Sequence, residues 1–175
     1  MPTPERTSLV EIVDAGRRIL EAGGPAKLTM QAVADRVGVR APSLYKRVRD
    51  RDALLTLVAE ASADDLADRL EATNGSLSDL ARTYRDFAHR HPEGFRLMFA
   101  VDGAAPAMAR ASIPLMRSTS ELVGADDALD AARLLTAWAT GFVNMELSGS
   151  FRFDGDVDRA FEYGLERLLA GLRSD

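Results

Sequence analysis

The chain has 175 residues, 46% hydrophobic and 28% charged, enough apolar material for a buried core, which excludes both a mini-protein and a wholly disordered chain. It holds no cysteine, so disulfides, thiolate nucleophiles and cysteine metal sites are excluded. The formal net charge of −5, taken as an average over the chain, argues against a nucleic-acid partner.

Taken in order, almost every segment reads as helix. Ser8-Leu9-Val10-Glu11 has the form of a capping box. Leu9, Ile12, Val13, Gly16, Ile19 and Leu20 follow at helical spacing until Gly23-Gly24-Pro25 stops the pattern. Thr29 is placed to cap a second, shorter helix through Ala32, Val33 and Val37, with Gly38 ending it. A third helix is expected from Ala41-Pro42 to about Val48, since proline is favoured in a first turn. Asp50 then caps a long fourth helix through Leu54, Leu55, Val58, Ala61, Leu66 and Leu70, broken at Thr73-Asn74-Gly75.

A fifth helix over Ser76 to His91 carries Leu77, Leu80, Ala81, Tyr84, Phe87 and Ala88 on one face, and Phe95 to Val101 reads as a short apolar helix. Asp102 to Gly124 is expected to form one or two helices with a break near Ile113-Pro114. Asp126 to Ser148 is the most apolar segment, and Asp154 to Leu172 a last amphipathic helix with Val157, Phe161, Leu165, Leu168, Leu169 and Leu172. With no strand or hairpin signal, the expected fold class is all-α.

The charge is unevenly spread. Residues 1–51 hold ten basic and six acidic side chains, net +4, so the other 124 residues carry −9. Arg36, Arg40, Lys46, Arg47, Arg49 and Arg51 fall within sixteen residues, interleaved with Ser43 and Tyr45. Short helix, glycine turn and short helix make a helix-turn-helix, whose second helix lies in the DNA major groove. Cations there neutralise phosphates, and hydroxyl or guanidinium groups reach base edges. A merely solvated basic face is the competing reading.

The runs Leu28-Thr29-Met30-Gln31-Ala32-Val33-Ala34-Asp35-Arg36-Val37-Gly38-Val39, Ser43-Leu44-Tyr45-Lys46-Arg47-Val48 and Arg51-Asp52-Ala53-Leu54-Leu55 resemble the DNA-binding domain of TetR-family regulators. The resemblance implies a homodimer of about nine helices per chain. It also implies a palindromic operator and a C-terminal ligand-binding domain, with repression the commoner mode. The expected division is residues 1–51 for DNA binding and 52–175 for ligand binding and dimerisation, joined by the fourth helix. Carried over, Thr29 and Gln31 meet phosphates and Tyr45 is the phosphate-contacting tyrosine. Ala41, Pro42, Ser43, Lys46 and Arg47 face the groove beside Arg40, and Arg51 is the fourth-helix cation against the backbone. Arg47 or Lys46 is the expected base reader. Leu44 and Val48 belong to the core with Val33, Val37 and Leu55. The pair Lys46-Arg47 departs from the hydrophobic or aromatic residue and His or Tyr often found there, so sequence preference does not carry over.

Further on, Ala132-Arg133, Gly141-Phe142-Val143-Asn144-Met145-Glu146-Leu147-Ser148-Gly149-Ser150-Phe151, Asp156-Val157 and Leu169-Ala170-Gly171-Leu172 are similar to a C-terminal domain type of the same regulators, with Thr140-Gly141 where His-Gly is common. That similarity implies pairing of the last two helices with their mates, with Leu134, Leu135, Val143, Phe161, Leu165, Leu168 and Leu172 near the interface. Gly141 permits close approach of a backbone, from a partner or from the same chain. Tyr84, Phe87, His91, Met98, Phe99, Met116, Trp138, Phe142 and Met145 are the candidate lining of a pocket for a small, mostly apolar effector, against ordinary core as the alternative. Arg133, Asn144 and Glu146 join His91 as candidate polar anchors.

No cofactor or metal site is expected. His89 and His91 point to different faces of a helix, and Asp154, Asp156 and Asp158 lack the glycine and glutamate of a calcium loop, so acids at a helix N-terminus explain them better. No phosphate loop, dinucleotide fingerprint or nucleophile elbow is present, so an enzyme or a helical adaptor is the reading from another class. Neither a leader nor an apolar run of eighteen residues is seen, and the expected location is the cytoplasm.

Overall fold

Local side-chain chemistry sets most of the helix ends in the computed structural model, which describes residues 8–173. The first helix, α1 (Leu9–Gly23), opens with a full capping box: Ser8 Oγ accepts the Glu11 N–H at 3.2 Å while Glu11 Oε2 accepts the Ser8 N–H at 2.7 Å. Thr29 Oγ1 accepts the Ala32 N–H at 3.1 Å to start α2 (Met30–Val37), and Gly38 ends it at φ +72°, where a side chain would be strained. After α3 (Ala41–Leu44), Asp50 Oδ1 takes the Ala53 N–H at 2.8 Å and begins α4 (Arg51–Glu71). Ser76 caps α5 (Leu77–Arg90) and Asp156 caps α9 (Val157–Leu172) in the same way, through the N–H groups of Asp79 and Arg159. Each such cap contributes about 0.5–2 kcal/mol. Between them lie α6 (Pro92–Ala100), a 3₁₀ turn at Asp102–Ala104, α7 (Ala105–Val123) and α8 (Ala128–Leu147). Among the described residues there are nine α-helices and no strand.

Two helix boundaries differ from expectation. The third α-helix ends at Leu44, not Val48, because the chain tightens. Tyr45 has ψ −15°, and the Arg47 N–H reaches Leu44 O at 2.8 Å, a 3₁₀-type bond, beside the Val48 N–H at 2.9 Å. The expected break at Pro114 is absent, and α7 runs through it. Ala111, Pro114 and Ser118 are buried at helical spacing, so packing of that face outweighs the single donor that proline lacks.

Two compact units are formed. The first comprises the described residues up to Asp65 together with His91–Met108. Leu20, Leu28, Val33, Leu44, Leu54 and Val58 are fully buried in it, and α1 packs on α2 and on α6. Glu21 accepts the N–H groups of Glu93 at 3.2 Å and Gly94 at 2.8 Å at the start of α6. The second unit comprises Leu66–Arg90 and the described residues from Ala109 onward. Its core joins Leu135 of α8 to Phe161, Leu165 and Leu169 of α9. Each such fully buried side chain contributes about 1.5–3 kcal/mol. Gly164 lets the Trp138 ring approach α9, since a Cβ there would lie 2.7 Å from Trp138 Cζ2.

Candidate nucleic-acid interface

The second and third helices are held by one buried face. Val33, Leu44 and Val48 are at most 1% exposed, as expected of core, while Val37 and Leu55 are half-buried. Around this apolar seam the turn is closed by the Gly38 N–H to Asp35 O and the Val39 N–H to Ala34 O. Burying Leu44 and Val48 turns the rest of the segment outward. Arg40, Pro42, Ser43, Tyr45, Lys46 and Arg47 are exposed and Ala41 is half-buried. Tyr45 keeps 54% of its surface exposed, a large aromatic side chain left out of the core.

At the α2 N-terminus Thr29 is half-buried and its oxygen serves the cap, which leaves the hydroxyl proton to donate. Gln31 is exposed and its Nε2 donates to Asp35 Oδ1 at 2.6 Å, fixing the amide one turn along. Arg49 pairs with Asp50 at 2.6 Å. The Ala53 N–H, then Arg49, hold the Asp50 carboxyl below its usual value, and Asp50 in turn raises Arg49. Arg51 is engaged by its own chain. Its Nε donates to Leu28 O at 2.9 Å and its Nη2 to Pro25 O at 2.5 Å, so the guanidinium meets backbone carbonyls of its own chain where a phosphate contact was expected.

The nine candidate pocket residues fall in both units. His91, Met98 and Phe99 belong to the first unit, where Met98 is buried and Phe99 is 51% exposed with its ring edge-on to Phe95. The other six belong to the second unit. There Phe87 is fully buried core, Met116 is half-buried and Met145 is exposed. Trp138 stacks on Phe161 with centroids 5.0 Å apart, and Phe142 meets the same ring edge-on at 5.3 Å. Tyr84 OH bonds Thr140 Oγ1 at 2.8 Å, and burial pushes the phenol up to about 12 against that hydrogen bond. A shallow cleft of about 260 Å³ in this unit is lined by Ser76, Leu77, Ser118, Glu121, Leu122 and Leu169 among others, and by none of the nine.

The expected dimer set also divides. Leu135, Val143, Phe161 and Leu165 are at most 6% exposed, so their side chains are packed in the core of their own chain. Leu168 and Leu172 pack partly buried against that core, and Leu134 is 46% exposed. The outward side of α8 carries Leu134, Ala137, Gly141 and Met145, and that of α9 Ala160, Tyr163 and Ala170. A Cβ added at Gly141 would meet nothing within 4 Å, so the close approach this glycine permits is not made among the described residues.

One constellation was not foreseen. Arg85 of α5 grips Glu146 of α8 with two N–H groups at 2.9 and 2.5 Å, reaches Asp158 of α9 at 2.6 Å, and lies over the Phe161 ring at 4.7 Å. His89 Nε2 stands 3.1 Å from the same glutamate, whose side chain is 6% exposed. Burial favours the neutral acid, but the hydrogen bonds from Arg85 and His89 outweigh it and hold Glu146 below the usual carboxylate range. The signal was present in the sequence: one glutamate within the most apolar segment, and Arg85 and His89 four apart on the facing helix. Glu146 is therefore satisfied within the chain, and Arg133 pairs with Asp130 at 3.3 Å. Asp156 and Asp158 prove to be helix-start acids, one the cap and one the partner of Arg85.

Comparison with known proteins meets the same outline. Residues 12–58 match the family described as bacterial regulatory proteins, tetR family, and residues 77–168 a tetracyclin repressor-like C-terminal domain. An uncharacterized HTH-type transcriptional regulator of Mycobacterium tuberculosis, Rv0681, is 30% identical over 97% of this chain and 83% of its own. The crystal structure of Mycobacterium smegmatis BioQ is 25% identical, with TM-score 0.72 over 96% of this chain and 98% of that one. A TetR variant from Acinetobacter baumannii AYE in complex with minocycline shares the fold at 24% identity, with TM-score 0.72 over 97% and 99% of the two chains. Among the described residues no helix is long and apolar enough to cross a membrane.

Proposed function

Because the chain belongs to the TetR family, whose members are transcriptional regulators and not enzymes, we propose that it is a cytoplasmic repressor, binding a palindromic operator as a homodimer and released by a small, mostly apolar effector. Residues 1–51 form the DNA-binding domain and residues 52–175 the ligand-binding and dimerisation domain, with α4 joining them.

The observation that carries this reading is the exposed side of α2 and α3. Arg40, Lys46 and Arg47 surround Ser43 and Tyr45 along α3 and the tight turn that follows it, a segment whose opposite side, Leu44 and Val48, is buried. A segment so anchored leaves its cations at the surface, as major-groove insertion needs. Arg47 or Lys46 reads a base, guanine being the natural partner through O6 and N7. Ala41, Pro42 and Ser43 face the groove, while Tyr45, Thr29 and Gln31 meet phosphates, the last two at the positive end of α2. Arg40 adds to the field.

The exposed side of Leu134, Ala137, Gly141 and Met145 on α8, with Tyr163 on α9, supports a dimer through these two helices. Two half-sites one or more helical turns apart require such a pair. The minocycline complex of the Acinetobacter protein indicates that this fold accommodates a small molecule. Tyr84, Trp138 and Phe142 are the half-buried aromatic residues best placed to touch one within the second unit.

Selection of duplexes from a random pool by the purified protein, followed by anisotropy titration in a salt series, tests the reading. Enrichment of an inverted repeat bound at nanomolar affinity with a steep salt slope is expected. A pool that never converges, or binding insensitive to salt, overturns it. Light scattering that finds a monomer at micromolar concentration sinks the dimer.

A further inference from the structure

Leu28 and Arg51 bracket the helix-turn-helix: one immediately precedes the N-cap of α2, the other is the first residue of α4. The Arg51 fork closes this bracket, Nε on Leu28 O at 2.9 Å and Nη2 on Pro25 O at 2.5 Å. Pro25 O also receives the Leu28 N–H at 3.2 Å, so the clamped carbonyls belong to one turn of the loop between α1 and α2. That turn is anchored from within as well, by the fully buried Leu28 side chain beside Leu54 and Val58. Thr29 follows directly, and wherever the Leu28 carbonyl is held, the cap and the first N–H groups of α2 are held too.

We infer that Arg51 is a positioning residue of the DNA-binding face: its guanidinium pins the loop before α2 to the start of α4, and so sets the phosphate-facing N-terminus of α2, instead of meeting a phosphate itself. The inference rests on the DNA-binding reading given above. It follows from the shape of the side chain, since a planar guanidinium supplies two N–H groups in a rigid fork, whereas lysine keeps the charge and loses the fork. At a phosphate contact the charge sets the salt slope, which lysine keeps even where it loses the fork's hydrogen bonds. The two roles therefore differ in whether the salt slope follows the charge at this position.

Wild type, R51A and R51K are compared on one duplex selected by the wild-type protein, at a temperature where circular dichroism finds each folded. Both variants are expected to lose roughly tenfold or more in affinity with an unchanged salt slope, and to melt roughly 3–8 °C lower. A slope reduced by about 0.9 in R51A and restored in R51K identifies a phosphate contact and overturns the inference. A lower melting point with unaltered affinity reduces Arg51 to a stabilising residue and overturns it equally. Should neither variant fold, nuclear magnetic resonance of the wild type decides. The Arg51 Nε–H is expected to be protected from solvent exchange in the free protein, and exchange as fast as that of a solvated guanidinium overturns the clamp. Failure of the wild type to select any duplex removes the DNA-binding reading and the positioning role with it, whereas failure of the inference alone leaves wild-type binding intact.

Discussion

The cations flanking α3 and those of the second unit are the same residue types in different settings. Arg40, Lys46 and Arg47 stand at an exposed surface beside Tyr45 and Ser43. In the second unit, Arg82 is matched to Glu162, Arg85 to Glu146 and Asp158, Arg90 to Asp86, Arg110 to Asp68 and Arg133 to Asp130. The contrast teaches where each region looks for its counter-charge. An acidic body, −9 over residues 52–175, supplies partners from within, along one helix for Arg90 and Arg133 and between helices for Arg82 and Arg85. The basic segment has few acids of its own and is suited to a polyanion outside the chain.

The largest expected effect lies on the inward side of that contrast. Glu146→Ala removes the buried partner of Arg85 and leaves its guanidinium only the exposed Asp158 and the Phe161 ring, so urea unfolding is expected to show a loss of about 1.5–3 kcal/mol. A loss under about 1 kcal/mol would break the comparison, making the pair a surface one. Next comes the outward side: Arg47→Ala is expected to cost about 1–3 kcal/mol of operator binding, concentrated at one base pair, while stability stays within about 0.5 kcal/mol of wild type. Uniform loss across operator variants, read by anisotropy, would move Arg47 from base reader to phosphate contact.

Thr29→Ala should sharpen the contrast by belonging to both sides. Loss of the cap lowers stability by about 1 kcal/mol in thermal melts, and loss of the hydroxyl donor weakens binding to all duplexes alike.

The smallest effects are those of pH. Glu146 is held below its unfolded value of 4.5, so its contribution is present above that pH and is lost as pH falls through the lower folded value. An acid titration of unfolding free energy is expected to fall less steeply in E146Q. Tyr84 has the opposite sign: raised from 10.0 to about 12 by burial, it contributes fully below pH 10 and loses that contribution as pH rises toward 12. A Tyr84→Phe variant is expected to lose that alkaline decline, and one that keeps the wild-type profile would show that the phenol titrates alike in the folded and unfolded chain.

Much of this was legible in the residues. The Ser8–Glu11 box, the caps at Thr29 and Asp50, the turn at Gly38 and the buried pair Leu44 and Val48 are all read from spacing alone and recur in the structure. The basic segment was legible for the same reason, being contiguous. The interface and pocket were less so. Periodicity marks Phe161 and Leu165 as apolar-face residues but does not say whether that face meets its own chain or another, and the structure turns it inward. Aromatic and methionine content likewise nominated nine residues that the fold divides between two units.

The sequence by itself determined the class of fold, the limits of most helices and the segment that carries the positive charge, because caps, turns and amphipathic periodicity act within about four residues of chain. Only the tertiary structure decided that α7 passes through Pro114, that Glu146 is closed off by Arg85 and His89, and that Arg51 holds the carbonyls of Pro25 and Leu28. Those outcomes join residues 23 to 61 positions apart or depend on what a helix face is packed against. A side chain's reach is a property of the residue, but the partner within that reach is set by how distant segments come together.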